Sequence, residues 1–210
     1  MNVDLNTLLG SCRGRDPKYP YVEGPVPFYK MASGNHGYIR LDPAECKYIA
    51  RVARLSQVGI LEVGRYLGGS TVVLAYATQN NYNSPVVSVD IGPLDDDTLR
   101  EVLVGCEFDM DLIDLRIDDS HNCDYGDQMF DFAFIDGDHT YEGVLADLQN
   151  CWDNLTAGAH IICHDIHDDN YQINEAICDF LIDKKVLMHI PPFHIDREKY
   201  GTLCHFQKIS

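Results

Sequence analysis

Short apolar runs alternate with amphipathic runs along most of this 210-residue sequence. The apolar runs have the length of buried strands, and in the amphipathic runs the apolar residues recur at helical spacing. In chain order the pattern predicts a helix after Asp42, strand 58–63, helix 69–79, strand 85–90, helix 95–105, strand 112–117, strand 131–135, helix 141–154, strand 159–163, helix 171–183, strand 185–190 and strand 202–208. Such alternation is typical of an α/β domain whose mostly parallel sheet is covered by helices on both faces. Because a short Pro-rich connection, 191–201, joins the last two strands, we expect one of them to be antiparallel.

Residues 1–41 do not follow this pattern, because glycines and prolines interrupt any regular spacing. Aromatic residues are interleaved with them. Two interpretations stay open for this segment: an irregular arm packed on the domain, or a lid over an active site. A helix-start signature, Asp42-Pro43-Ala44-Glu45, then opens one domain of residues 42–210.

The net charge of the chain limits the classes of partner that it can bind. Acidic residues number 33 and basic residues 16, which gives a formal net charge of −17. Such a surface repels nucleic acid and anionic membranes, so we expect a small-molecule acceptor as the partner, with no nucleic acid and no membrane. We see no signal peptide, no apolar run long enough to span a membrane and no C-x-x-C motif, so we expect a soluble cytoplasmic protein with reduced cysteines. Whether it forms a homo-oligomer stays open.

The stretch Ile60–Thr71 has the order of a strand, a glycine turn and a helix start. Glycines permit a tight turn, and a helix start offers unpaired N–H groups to an anionic ligand group. The dinucleotide pattern G-x-G-x-x-G needs its second glycine where this chain has Tyr66, whose side chain would obstruct a pyrophosphate. The alternative interpretation is an ordinary strand-to-helix turn without a ligand.

The pattern acid-x-G-x-x-x-G-G-S-T resembles the S-adenosylmethionine loop of class I methyltransferases, and it is especially similar to the loop of their small-molecule O-methyltransferase branch. The resemblance covers roughly residues 42–208. It implies a three-layer Rossmann-like methyltransferase fold, with a mostly parallel seven-stranded sheet and an antiparallel last strand, and S-adenosyl-L-methionine as the cofactor. The cofactor-binding residues that it implies in this loop are Glu62, Gly64, Gly68, Gly69, Ser70 and Thr71.

Polar residues at the ends of the next two strands match two further parts of that family's cofactor site. Asp90 ends strand 85–90, where an acid can accept both ribose hydroxyls, although a loop acid or helix cap is the alternative. In the resembled family this acid holds the adenosyl ribose. After strand 112–117, Asp119 and Ser120 match the family's acid and small residue near the adenine, with Asp118 as a close rival.

The run Phe130 to Val144 contains I-D-G-D-H-x-Y-E-G-V, and His164-Asp165 follow the next strand. This order is similar to the macrocin-type and related metal-dependent O-methyltransferases. The family has Pro-Gly-Gly where this chain has Thr-Ala-Gly-Ala, and we expect Leu155–Gly158 to close the preceding helix.

In catechol-type relatives the positions that match Asp136, His164 and Asp165 hold a divalent ion. His164 replaces an acid there. The resemblance therefore implies Mg²⁺, or Mn²⁺ if the histidine nitrogen is a ligand, or a His164 that is not a ligand. An acidic loop at the sheet edge without a metal is the alternative.

The candidate catalytic residues are Asp136, which is also expected to contact the cofactor, and His139. An unperturbed histidine pKa near 6.5 suits a general base at neutral pH, although a lone loop histidine is more often a surface residue. We predict methyl transfer from S-adenosylmethionine to a hydroxyl of a small molecule, such as a sugar or phenolic compound, with a divalent metal assisting. The alternatives are a catalytically silent methyltransferase-like binding module, an aminopropyl transferase, and a nicotinamide oxidoreductase, which Tyr66 disfavours.

Overall fold

The computed structural model describes residues 39–41, 43–79, 84–166, 172–191 and 203–210. Its helices are α1 (Pro43–Ala53), α2 (Gly69–Thr78), α3 (Asp96–Gly105), α4 (Tyr141–Trp152) and α5 (Ile173–Leu181), with a 3₁₀ turn at Met110–Leu112. Its strands are β1 (Ile60–Val63), β2 (Val86–Asp90), β3 (Ile113–Ile117), β4 (Phe130–Ile135), β5 (Leu155–Cys163), β6 (Val186–His189) and β7 (Cys204–Lys208). The predicted order of elements is therefore confirmed.

The seven strands form one sheet in the order β3-β2-β1-β4-β5-β7-β6. The strands from β3 to β5 pair in parallel, whereas β7 pairs antiparallel with both β5 and β6. The predicted α/β architecture with an antiparallel last strand is confirmed. Because parallel strands end at the same edge, the residues that follow β1, β2, β4 and β5 meet there.

The central strand β1 shows why the fold has three layers. All four of its residues are buried, so both faces of the sheet must be covered. Ile60 packs in a core with residues of α1, α2 and α3. Leu61 and Val63 point the other way, into a core with residues of α4 and α5. Successive side chains of a strand alternate between faces, and this alternation builds the two cores.

The boundary predicted at Leu155–Gly158 is wrong. These residues begin β5 and do not close a helix, since α4 ends at Trp152. The pairing of β4 with β5 shifts register between Phe130 and Phe132, and Gly158 has a φ of 89°. A left-handed glycine and a register shift let the extended chain continue through a segment whose composition looks like a turn.

Several predictions fall on parts of the chain that lie outside the described residues. The arm or lid of residues 1–41 is described only from 39 onwards, and most of the connection 191–201 is not described. The domain boundary near residue 42 therefore stays a prediction. Within the described part, no two cysteines form a disulfide, and no helix is long and apolar enough to cross a membrane.

Candidate active site

A cavity of about 620 Å³ lies at the carboxyl ends of β1, β2, β4 and β5. Eight of the residues singled out from the sequence line it, and they are Gly64, Asp90, Asp119, Ser120, Asp136, His139, His164 and Asp165. Arg40, Tyr66 and Asp138 line it as well. The loops that were predicted to form one site therefore do surround one space.

The bend after β1 requires glycine at Gly64. This residue has a φ of 81°, and a Cβ built on it would lie 2.1 Å from the carbonyl oxygen of Asp136. The backbone at the end of β4 thus passes directly against the bend. Gly68, at φ 88°, precedes the first turn of α2, which has no side-chain cap. The sequence predicted that the N–H groups of that turn bind an anionic group of a ligand.

Glu62 lies beneath this bend and does not line the cavity. Its Oε2 accepts hydrogen bonds from the hydroxyls of Thr71, at 2.6 Å, and Ser88, at 2.5 Å. Burial raises the pKa of Glu62, while hydrogen bonds from neighbouring hydroxyls, Ser70 among them, oppose that rise. The side chain ties the start of α2 to β2, so its position supports the shape of the bend. Direct contact of Glu62, Gly68, Gly69, Ser70 or Thr71 with a cofactor stays a prediction.

Asp90 faces the cavity and also holds the bend. Its Oδ2 accepts the backbone N–H groups of Arg65 and Tyr66, both at 2.9 Å, and its Oδ1 accepts the N–H of Gly92 at 3.2 Å. The alternative interpretation of Asp90 as a loop acid therefore describes part of what it does. A carboxylate has further acceptor sites, so these bonds are compatible with a ribose contact.

Arg65 was missed by sequence reasoning. Its side chain is 1% exposed. It donates to both carboxylate oxygens of Asp96, at 2.9 and 2.6 Å, and to the carbonyl oxygens of Ser88 and Arg116. The guanidinium thus fastens the bend to β2, β3 and the start of α3. No local signal identifies this pair, because its members are 31 positions apart.

A second missed feature is the pair of Arg40 and Tyr66 on the cavity wall. Tyr66 has a φ of 50° and is 51% exposed. The guanidinium carbon of Arg40 lies 5.6 Å from the centre of its ring, which is a cation–π distance. Sequence reasoning had left Arg40 in the irregular arm. It brings a positive charge to a cavity whose other charged residues are mostly acids.

After β3, Asp119 and not its rival Asp118 lines the cavity. Asp119 accepts from the N–H of His121 at 3.1 Å and from the side-chain amide of Asn122 at 3.0 Å, and these hydrogen bonds lower its pKa. Beneath this loop lies Asp147, a buried acid that the sequence did not single out. Burial raises the pKa of Asp147 to about 6.

The end of β4 and the end of β5 bring a cluster of acids and histidines together. Oδ1 of Asp136 lies 3.3 Å from Nε2 of His139 and 3.4 Å from Nδ1 of His164. Nδ1 of His164 is also 3.2 Å from Oδ1 of Asp165, and its Nε2 is 3.2 Å from Oε2 of Glu45 on α1. His164 therefore has a carboxylate at each of its ring nitrogens. Glu45, which was noted only as a helix-start residue, is the member that the sequence did not predict.

These contacts set the charges of the cluster. Burial opposes protonation of His164, but Asp136, Asp165 and Glu45 together raise its pKa well above the usual value. Burial likewise opposes ionisation of Asp136, but the two histidines lower its pKa to about 2. The hydrogen bond to Asp136 raises the pKa of His139. His164 is thus an imidazolium between carboxylates, and His139 holds its proton more tightly than an isolated histidine, so less of it is in the neutral form that can act as a base at neutral pH.

The raised pKa values affect both histidines as metal ligands. Each ring must give up a proton before the nitrogen that faces the carboxylates can bind a metal. The donor atoms that lie within 4.8 Å of one another belong to Asp136, His139 and Asp165. Two carboxylates and one imidazole suit Mn²⁺ or another transition ion better than Mg²⁺. The predicted set with His164 in place of His139 stays a prediction, and the geometry favours His139.

The comparison with known proteins agrees with this geometry. A family described as a methyltransferase domain matches residues 61–166, which is half of the chain. The chain belongs to this family. Fold and family together define a class I S-adenosylmethionine-dependent methyltransferase. No curated protein sequence matches the chain.

Three solved structures illustrate the likeness in fold. An O-methyltransferase from Bacillus cereus in complex with S-adenosylhomocysteine is 21% identical, with a TM-score of 0.58 over 80% of this chain and 83% of that chain. A TDP-rhamnose 3′-O-methyltransferase of calicheamicin biosynthesis is 15% identical, with a TM-score of 0.63 over 78% and 76%. A putative rRNA methylase from Clostridium thermocellum is 18% identical, with a TM-score of 0.62 over 79% and 95%. At these identities the likeness establishes the fold.

Proposed function

We propose that this protein transfers a methyl group from S-adenosylmethionine to a hydroxyl group of a small molecule. The observation that carries the proposal is the single cavity that joins the Gly64 bend and Asp90 to the cluster of Asp136, His139, His164 and Asp165. Such a cavity provides a place for a cofactor next to groups that can handle a proton. A cytoplasmic location stays a prediction from composition.

The cofactor would lie along the carboxyl edge of the sheet. Its methionine end would meet the bend at Gly64, its ribose Asp90, and its adenine Asp119 and Ser120. These residues all line the cavity: Gly64 follows β1, Asp90 ends β2, and Asp119 and Ser120 come after β3. The complex of the Bacillus cereus O-methyltransferase with S-adenosylhomocysteine supports this choice of cofactor.

Methyl transfer is a displacement at carbon. The acceptor oxygen bonds to the methyl carbon, the carbon–sulfur bond breaks, and its electron pair stays on sulfur, which becomes neutral. The proton of the acceptor hydroxyl must leave, and we assign it to His139. Asp136 hydrogen-bonds His139 and stabilises the imidazolium that results. Holding both reactants in line can lower the barrier by about 7–11 kcal/mol.

A divalent cation would be held by Asp136, His139 and Asp165, and when bound it would act as a Lewis acid on the acceptor oxygen. His139 cannot be a ligand and a base through the same nitrogen. Chelation therefore separates the two versions of the mechanism, because EDTA abolishes turnover only if the metal is needed.

The acceptor is expected to be a hydroxylated small molecule, such as a sugar or a phenolic compound. The likeness to the TDP-rhamnose enzyme supports a sugar. The likeness to a putative rRNA methylase raises RNA as a substrate, but a net charge of −17 opposes binding to a phosphate backbone. Arg40 supplies a positive charge on the cavity wall and would suit an acceptor with an anionic group.

Two measurements test the proposal. Calorimetric titration should detect binding of S-adenosylhomocysteine and no binding of NAD. Asp90→Asn should weaken the binding of S-adenosylhomocysteine. Turnover should then appear as S-adenosylhomocysteine released in the presence of pooled sugars and phenols, with and without EDTA. Binding without turnover on any pool would favour a silent binding module. No binding of S-adenosylhomocysteine would refute the proposal.

A further inference from the structure

A second group of histidines lies on the sheet, apart from the cavity. His160 on β5, His189 on β6 and His205 on β7 occupy three neighbouring strands. His189 pairs directly with His205, and His160 lies diagonally across from His205, because Ile162 is the direct partner of His205. Side chains at such positions share one face of the sheet. We name this group the three-histidine cluster.

The rings of the three-histidine cluster are in contact. Nδ1 of His160 lies 2.9 Å from Nε2 of His205. The rings of His189 and His205 stack, with centroids 4.3 Å apart and an interplanar angle of 18°. One nitrogen from each ring can be chosen so that all three lie within 4.8 Å of one another. Within the described residues, Nε2 of His189 is buried and has no hydrogen-bond partner.

The surrounding hydrogen bonds fix the orientation of the rings. The hydroxyl of Tyr48 on α1 lies 2.6 Å from Nδ1 of His205, which leaves Nε2 of that ring to face His160. The side-chain nitrogen of Gln207 donates to the carbonyl oxygen of Gly158 and lies 3.4 Å from Nε2 of His160. A histidine that binds a metal through one ring nitrogen normally donates a hydrogen bond from its other ring nitrogen to a neighbouring acceptor. Tyr48 is in that position for His205.

The charge state of these rings also suits ligation. Burial, together with the neighbouring rings, lowers the pKa of His205 to about 3 and lowers the pKa of His160. Both are therefore neutral imidazoles at pH 7. Metals bind the neutral ring, so protons do not compete at this pH.

We propose that the three-histidine cluster is a binding site for a divalent transition metal such as Zn²⁺. Imidazole nitrogens select Zn²⁺, Cu²⁺, Ni²⁺ or Co²⁺ over Mg²⁺ and Ca²⁺. Zinc–nitrogen bonds of about 2.0–2.1 Å place tetrahedral nitrogens about 3.3 Å apart. Nδ1 of His160 and Nε2 of His205 already lie 2.9 Å apart, so metal binding requires these two atoms to move apart only slightly.

Two local changes accompany metal binding. The proton shared between His160 and His205 moves to Nε2 of His160, where the 3.4 Å contact to Gln207 is already long. His189 rotates out of its stack with His205, because lone pairs of parallel rings do not converge on one ion. His189 is only half-buried, which leaves room for that rotation.

The site would hold three sheet strands together. Ligands on β5, β6 and β7 join the antiparallel edge of the sheet to its parallel part. Metal binding to the folded state alone raises its stability with metal concentration. The site is therefore expected to be structural, and distinct from the cluster at Asp136.

The test uses the full chain without an affinity tag. Co²⁺ should give the visible absorption of a tetrahedral nitrogen site, and Zn²⁺ should displace it and raise the melting temperature. His160→Gln and His189→Gln should each abolish the absorption, and Tyr48→Phe should weaken Zn²⁺ binding by about tenfold. His139→Gln is the matched control, because it removes a ligand of the other cluster and should leave the absorption intact.

Circular dichroism and S-adenosylhomocysteine binding verify that each variant is folded. Absence of the Co²⁺ absorption and of any Zn²⁺-induced rise in melting temperature would overturn the inference. Loss of the signal in His139→Gln, with retention in His160→Gln and His189→Gln, would overturn it too, because the metal would then lie in the cavity. In either case His160, His205 and Tyr48 form a hydrogen-bonded chain, and His189 only stacks on it.

Discussion

Replacing Gly64 by alanine tests whether the bend after β1 is built around a close approach of two backbones. Gly64 has a φ of 81°, and its added Cβ would lie 2.1 Å from the carbonyl oxygen of Asp136 and 2.6 Å from Cα of Gly137. Backbone atoms cannot rotate away as a flexible side chain can. Gly158 is a matched control, since its φ is 89° and an added Cβ meets nothing within 4 Å.

The two substitutions share one cost and differ in another. An L-residue in the left-handed region costs about 1–2 kcal/mol, and this applies to both. Overpacking typically adds about 1–3 kcal/mol, and this applies only to Gly64. We therefore expect Gly64→Ala to lower the free energy of unfolding by about 2–5 kcal/mol and Gly158→Ala by about 1–2 kcal/mol. Because the displaced carbonyl belongs to Asp136, only Gly64→Ala should also weaken cofactor binding.

Urea denaturation with linear extrapolation measures the two free energies, and calorimetry with S-adenosylhomocysteine measures binding. Equal destabilisation by the two variants would refute the argument, because it would mean that the bend can move away from Asp136 at no cost. Normal binding by a destabilised Gly64→Ala would separate the bend from the cofactor site.

Three further predictions concern charged groups. Arg65→Ala should lower the free energy of unfolding by about 3–5 kcal/mol, because Asp96 and two backbone carbonyl groups lose the buried guanidinium that donates to them. A double-mutant cycle with Asp96→Ala should then show strong coupling between the two residues. Since Asp136 raises the pKa of His139, kcat/KM should rise with pH through a pKa above 6.5. NMR titration should show that the pKa of His139 is lower in Asp136→Asn than in the wild-type protein. An unshifted pKa in that variant would contradict the assignment. Arg40→Gln should raise the KM for an anionic acceptor and leave the affinity for S-adenosylhomocysteine unchanged. If the wild-type protein and the variant each show the same KM for neutral and anionic acceptors, Arg40 does not contact an anionic group of the acceptor.

The sequence predicted the sheet well because its signals are local. β1, β2 and β4 are short, mostly apolar runs, and the residue that ends each run can be read directly, so Asp90 and Asp136 were expected at one edge of the sheet. The reliable part of the site is thus the part that follows from strand ends and parallel topology. The boundary with the largest error, Leu155–Gly158, lies where a left-handed glycine and a register shift continue a strand through turn-like residues.

Contacts between distant residues could not be predicted in the same way. Glu45 meets His164 across 119 positions. No spacing rule links these residues, and Glu45 by itself has the sequence signature of a helix start. Glu45 nevertheless adds to the effect of Asp136 and Asp165 in raising the pKa of His164.

The imidazolium at His164 has a consequence for metal binding in the cavity. A divalent ion at Asp136 and Asp165 would take the same carboxylate oxygens that lie 3.4 and 3.2 Å from Nδ1 of His164. Two cations cannot share those oxygens without strong repulsion, so His164 must lose its proton when the metal binds, and His139 must lose one to become a ligand. Affinity for Mn²⁺ should therefore increase as the pH rises towards the raised pKa values. His164→Gln, which carries no charge, should bind Mn²⁺ more tightly at low pH and with a shallower pH dependence, as calorimetry at several pH values would measure. If the affinity of the wild-type protein does not change with pH, His164 is neutral in the folded protein and the carboxylates around it do not hold a proton on its ring.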